Sequence, residues 1–140
     1  MDSSARKPGE DWIALVRKNG TPEFAAAFAA NPVLLTSVLS GPCVGVEAVA
    51  TVFAATAGGM YDTLAFTHET VDGQKTYLEW EGIAFGKPVG GCTILTHNEV
   101  GLIQRVQIYH RPLPMVLQFS AELKKRLKGK LSPSLFATRE

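Results

Sequence analysis

Three histidines, two cysteines and 13 carboxylates are among the groups in this 140-residue chain that could move protons, attack carbon or hold a metal. His97 precedes Asn98 in a turn-like stretch and is expected in solvent. His68 and His110 fall in segments of alternating character, on the side that also carries Leu64, Phe66, Val106 and Ile108. Imidazole is the side chain most easily tuned to exchange a proton near neutral pH, so either one could serve as a general base. Thr36 or Asp62 could orient that base or its substrate. Cys43 and Cys92 lack the CxxC spacing, and the histidines show no ligand spacing, so no metal is expected and the thiols read as reduced and buried. Glycine-rich phosphate loops, a GxSxG elbow and an HExxH helix are all missing, and no cofactor is expected.

These groups sit in a chain that is 46% hydrophobic and 19% charged, with a formal net charge of +1. A disordered chain needs few hydrophobes and a large net charge, which excludes that class. Near-neutrality argues against a nucleic-acid partner, whose footprint is a clustered positive surface. The longest uncharged stretch, Phe24 to Gly45, is broken by Asn31, Pro32, Gly41 and Pro42, so no membrane partner is expected. Met1 to Pro8 has no apolar core of a signal peptide, and a cytoplasmic location is the expectation.

The elements that must position the candidates follow from punctuation and periodicity. Residues 1–9 read as a flexible leader, 10–128 as one domain, and 129–140 as a loosely attached tail. Glu10 to Lys18 predicts a short amphipathic helix. Thr21-Pro22-Glu23 is a helix start, and the alanine-rich run through Ala29 places Phe24 and Phe28 on one helical face before Asn31-Pro32. Val33 to Ser40 predicts a strand, Glu47 to Ala57 a third helix, and Gly58-Gly59 its end. Period-two patterning then predicts strands over Met60–Val71, Lys75–Phe85, Val89–His97 and Leu102–Arg111, with Asp72-Gly73 as a hairpin turn. Met115 to Leu127 predicts a short C-terminal helix. Helices followed by hairpin-linked strands make the fold class α+β.

Several segments in this order carry a resemblance. They are Phe24-Ala25-Ala26-Ala27-Phe28 before Asn31-Pro32, then Gly45-Val46-Glu47-Ala48-Val49, then Gly73 with Tyr77-Leu78-Glu79-Trp80. The last is Asn98-Glu99-Val100-Gly101-Leu102-Ile103 leading into Tyr109-His110-Arg111-Pro112-Leu113. Together they resemble the nuclear-transport-factor-2-like superfamily, and in particular its SnoaL-like members, over about residues 10 to 118. The resemblance implies a cone-shaped, curved antiparallel sheet closed by three N-terminal helices, with a pocket inside. It also implies a homodimer through the outer sheet face, where Tyr77, Ile83, Phe85, Ile103 and Tyr109 are expected. Relatives include polyketide cyclases, ketosteroid isomerases and binders without catalysis, so fold alone does not name the activity.

Ketosteroid isomerase chemistry needs a carboxylate base and an acid or phenol donor. The matching positions here hold Thr36, Thr93 and Phe53, and a threonine hydroxyl is far too weak a base for carbon-acid chemistry. No arginine lies between two carboxylates on the inward parity, as epoxide hydrolysis of the limonene type requires. Trp80, with Phe24, Phe28, Phe53, Phe66 and Leu78, is expected either to meet an apolar, ring-bearing ligand, with Thr36, Asp62 and Thr93 as polar contacts, or equally to fill the cone as core. The leading expectation is binding of a small hydrophobic or polyketide-like molecule in the central pocket. The alternatives are a cofactor-free lyase, isomerase or cyclase using His68 or His110, and a non-catalytic assembly module.

Overall fold

The computed structural model describes residues 7–57 and 59–136. Most of the expected leader, Gly58 and the last four residues lie outside that range. The order is α1 (Glu10–Val16), α2 (Pro22–Ala26), β1 (Phe28–Thr36), β2 (Cys43–Val44), α3 (Val46–Ala57), β3 (Thr63–Asp72), β4 (Lys75–Ala84), β5 (Lys87–His97), β6 (Ile103–Arg111) and α4 (Leu113–Arg126). The α+β class holds, with six strands in one sheet ordered β2-β1-β6-β5-β4-β3.

The sheet is mixed, which corrects the expectation of an antiparallel one. β3 to β6 are joined by short turns, and a tight turn forces antiparallel neighbours. β1 meets β6 across most of the chain, is under no such constraint, and runs parallel to it. The alanine-rich segment also ends sooner than its composition suggests. Thr21 caps α2, its hydroxyl accepting from Phe24 N at 3.3 Å, but the helix stops at Ala26. Phe28 already pairs with Ile103 in the sheet, and the residue before Pro32 is biased against helix. Tertiary pairing outweighs alanine propensity here. Phe24 and Phe28 still touch, with ring centroids 4.8 Å apart.

The turn between β4 and β5 places Phe85 (φ 53) and Gly86 (φ 73) in the left-handed region, as a two-residue hairpin loop needs. A phenylalanine there is unusual, and its ring packs at 5.4 Å against Phe119 of α4. That helix, at 14 residues, is the longest rather than a short appendage, and it buries Met115, Phe119 and Leu123. The described part of the expected tail, residues 129–136, is docked through Phe136, which is 2% exposed. Ser40 N donates to Leu135 O at 2.7 Å, and the Ser40 hydroxyl donates to Ser134 O. Among the described residues no helix is long and apolar enough to cross a membrane.

Candidate functional site

The inner face of the sheet presents two adjacent rows of side chains. One row runs Thr36, Ile108, Thr93, Leu78 across β1, β6, β5 and β4. The other runs His110, Gly91, Trp80, Phe66 across β6, β5, β4 and β3. Trp12 and Val16 of α1, and Val52, Phe53, Thr56 and Ala57 of α3, face them across a cavity of about 130 Å³. A cavity of roughly 150 Å³ in an apolar core is known to take one benzene ring, so this one matches a single-ring molecule. Its walls are overwhelmingly apolar, and among the described residues no Asp, Glu, Lys or Arg lines it.

Polar groups gather at one end. The Tyr61 hydroxyl and His110 Nε2 are 2.8 Å apart, and their rings lie nearly parallel, inclined by 13°. A phenol is the stronger donor of the two, so the Tyr61 O–H donates and Nε2 accepts. His110 Nδ1 then faces Ser37 Oγ at 3.5 Å, and the same Oγ accepts from His110 N at 2.9 Å. Burial lowers the His110 pKa to about 4 and pushes that of Tyr61 well up. Desolvation penalises the charged form in each case, so both groups are neutral at pH 7. The Trp80 ring approaches His110 edge-on with centroids 5.1 Å apart, and Phe119 closes the other side at 4.9 Å. Trp80 Nε1 donates to Thr93 Oγ1 at 3.1 Å.

Of the residues singled out in the sequence, Thr36, Phe53, Phe66, Trp80, Thr93 and His110 come together around this cavity. Phe24, Phe28 and Leu78 are buried in the surrounding core without lining it. Asp62 is exposed, accepting from Gly86 N at 3.1 Å across the β4–β5 turn. His68 is corrected outright. A bulge between Phe66 and His68 adds one residue to β3, so Phe66 still opposes Trp80 but His68 opposes Glu79. One extra residue reverses every later side chain, and His68 stands 75% exposed on the outer face, 3.3 Å from Glu79.

The outer face differs from expectation in two more positions. Ile103 is buried in the core beyond a register shift at the start of β6, and Phe85 folds inward onto Phe119. Tyr77 and Tyr109 are exposed there. Sequence reasoning missed Tyr61, Trp12 and Ser37. Tyr61 precedes β3, so strand parity does not apply to it. Its one visible signal is a polar aromatic two positions after the glycine break that ends α3.

No protein-family model matches the chain, and no curated sequence is significantly similar to it. Solved structures do match. A protein with a cystatin-like fold from Silicibacter pomeroyi superposes with a TM-score of 0.73 at 21% identity, covering 82% of this chain and 81% of that one. A steroid delta-isomerase from Pseudomonas aeruginosa gives 0.74 at 16% identity, covering 86% and 88%. A protein with a ketosteroid-isomerase-like fold from Catenulispora acidiphila, complexed with trimethylamine, gives 0.58 at 20% identity, covering 81% and 92%. The curved sheet, its helical cover and these superpositions agree: the chain has a cystatin-like fold, the fold these solved structures share with it.

Proposed function

We propose that this protein binds a small, ring-sized, largely apolar molecule in the cavity between the inner sheet face and helices α1 and α3. The observation that carries this reading is the cavity itself. It is about 130 Å³ in volume, walled by Trp12, Phe53, Phe66 and Trp80, with hydrogen-bonding groups confined to a few positions. An apolar enclosure with few polar groups is the ordinary form of a small-molecule site. The test is a titration with single-ring probes read by tryptophan fluorescence, since both tryptophans line the cavity. Saturable quenching is expected, together with its loss in Ala57→Phe, which fills the space. Unsaturable or absent quenching by every probe would sink the reading.

A second reading is supported by the 2.8 Å contact between Tyr61 and His110. A neutral imidazole beside a phenol can relay a proton at a carbon next to a ligand carbonyl, as an isomerase or cyclase requires. The fold neighbour described as a steroid delta-isomerase supports the same class. The burial that keeps His110 neutral also makes it a weak base, with its pKa near 4, so binding is the better-supported of the two. Deuterium exchange next to the carbonyl of cyclohexanone, followed by NMR, separates them. Exchange that depends on His110 and Tyr61 supports catalysis, and exchange at the buffer rate leaves binding alone.

A further inference from the structure

The cavity's polar groups are unevenly spent. Thr36 Oγ1 accepts from Val38 N at 3.4 Å, and Thr93 Oγ1 accepts from Trp80 Nε1 at 3.1 Å. Both residues are buried, at 9% and 2% exposure, and neither hydroxyl donates to another group among the described residues. Each oxygen already takes a donor, which leaves each hydroxyl's own hydrogen without a partner among the described residues, on two residues that line the cavity. The acceptor at the far end is occupied, because His110 Nε2 takes the Tyr61 hydrogen. The Thr56 hydroxyl donates within α3 to Phe53 O at 3.2 Å. What the sheet wall offers a ligand is therefore two buried hydroxyl donors on either side of Ile108.

We infer that the occupant is an uncharged, single-ring molecule bearing an acceptor oxygen, such as a cyclic ketone or lactone, whose oxygen is bonded by the hydroxyl of Thr36 or Thr93. This rests on the reading of the cavity as a ligand site. The chemistry follows from pairing rules. An ion of either sign would be stripped of water with no counter-charge, a cost that no lining side chain offsets. A pure hydrocarbon fits the volume but leaves both hydroxyls unused. A carbonyl or ring ester uses one of them and presents no hydrogen that lacks an acceptor.

The experiment compares benzene, cyclohexanone and cyclohexanecarboxylate by fluorescence titration of the full chain. Cyclohexanone is expected to bind tightest and the carboxylate not at all. Thr36→Val and Thr93→Val together are expected to weaken cyclohexanone about fivefold to tenfold, the worth of one hydrogen bond, without weakening benzene. The valine changes leave Val38 N and Trp80 Nε1 without their acceptors, so Thr36→Ser and Thr93→Ser serve as folded controls that restore ketone affinity. Benzene binding with no ketone preference, equal losses for both probes, or a carboxylate that binds as tightly as the ketone overturns the ligand class while the cavity reading stands. If no probe binds, both fall.

Discussion

Trp80 and His110 stand on strands that are not neighbours, yet their ring centroids are only 5.1 Å apart. The residue between them in the row is Gly91, and a Cβ there would lie 2.8 Å from the Trp80 indole and 1.9 Å from the Tyr109 carbonyl oxygen. The missing side chain is what lets the indole lean across β5. Gly91→Ala must displace backbone as well as ring, so a loss of about 1–3 kcal/mol is expected in urea melts. A red-shifted Trp80 emission should accompany it. An unshifted spectrum with unchanged stability would mean that the indole does not occupy that space.

Acid should destabilise the fold through His110. Its folded pKa of about 4 lies below the usual value near 6.5, so the unfolded state binds the extra proton first as pH falls. The stabilisation is complete above pH 6.5 and is lost progressively down to about pH 4, amounting to about 3 kcal/mol. His110→Phe should flatten that part of the pH profile. Urea midpoints measured at half-unit intervals check it, and a wild-type profile as flat as the variant's would contradict the burial of the imidazole.

His68 should be dispensable. It is an exposed partner of Glu79, and such pairs contribute within about 0.5 kcal/mol. His68→Ala is expected to leave probe affinity and stability unchanged. A change in affinity beyond twofold would place His68 back on the cavity side, contrary to the bulge in β3.

The chain's end should matter more than its polar composition suggests. Phe136→Ala removes a ring that is 2% exposed, and a cost of about 3 kcal/mol is expected. Hydrogen exchange at Ser40 N, which donates to Leu135 O, should accelerate in parallel. Exchange at the wild-type rate would show that the tail is not what protects that amide.

The legible parts of this fold are those set by local chemistry. The Thr21 cap, the α3 run and the strands flanking Gly73 depend on neighbours in sequence, and period two sufficed to bring Trp80, Thr93 and His110 to one face. The illegible parts are set by distant partners or by a single added residue. Phe28 is drawn from helix to strand by Ile103, far along the chain. His68 is turned outward by a bulge that alternation alone does not reveal. Tyr61, the hydrogen-bond partner of His110, belongs to neither a helix nor a strand, and no periodicity points to it.

The parallel seam between β1 and β6 also sets the order in which this molecule can be completed. Ser37 and His110, which meet across it, are 73 positions apart. β1 leaves the ribosome early and has no long partner until the last strand is made. Contacts of such separation form late because loop closure must precede them. The hairpins of β3, β4 and β5 can assemble beforehand, and Trp80 with them. Thr36 and His110 share one wall only through the β1–β6 pairing, so the sheet side of the cavity depends on this single long-range seam.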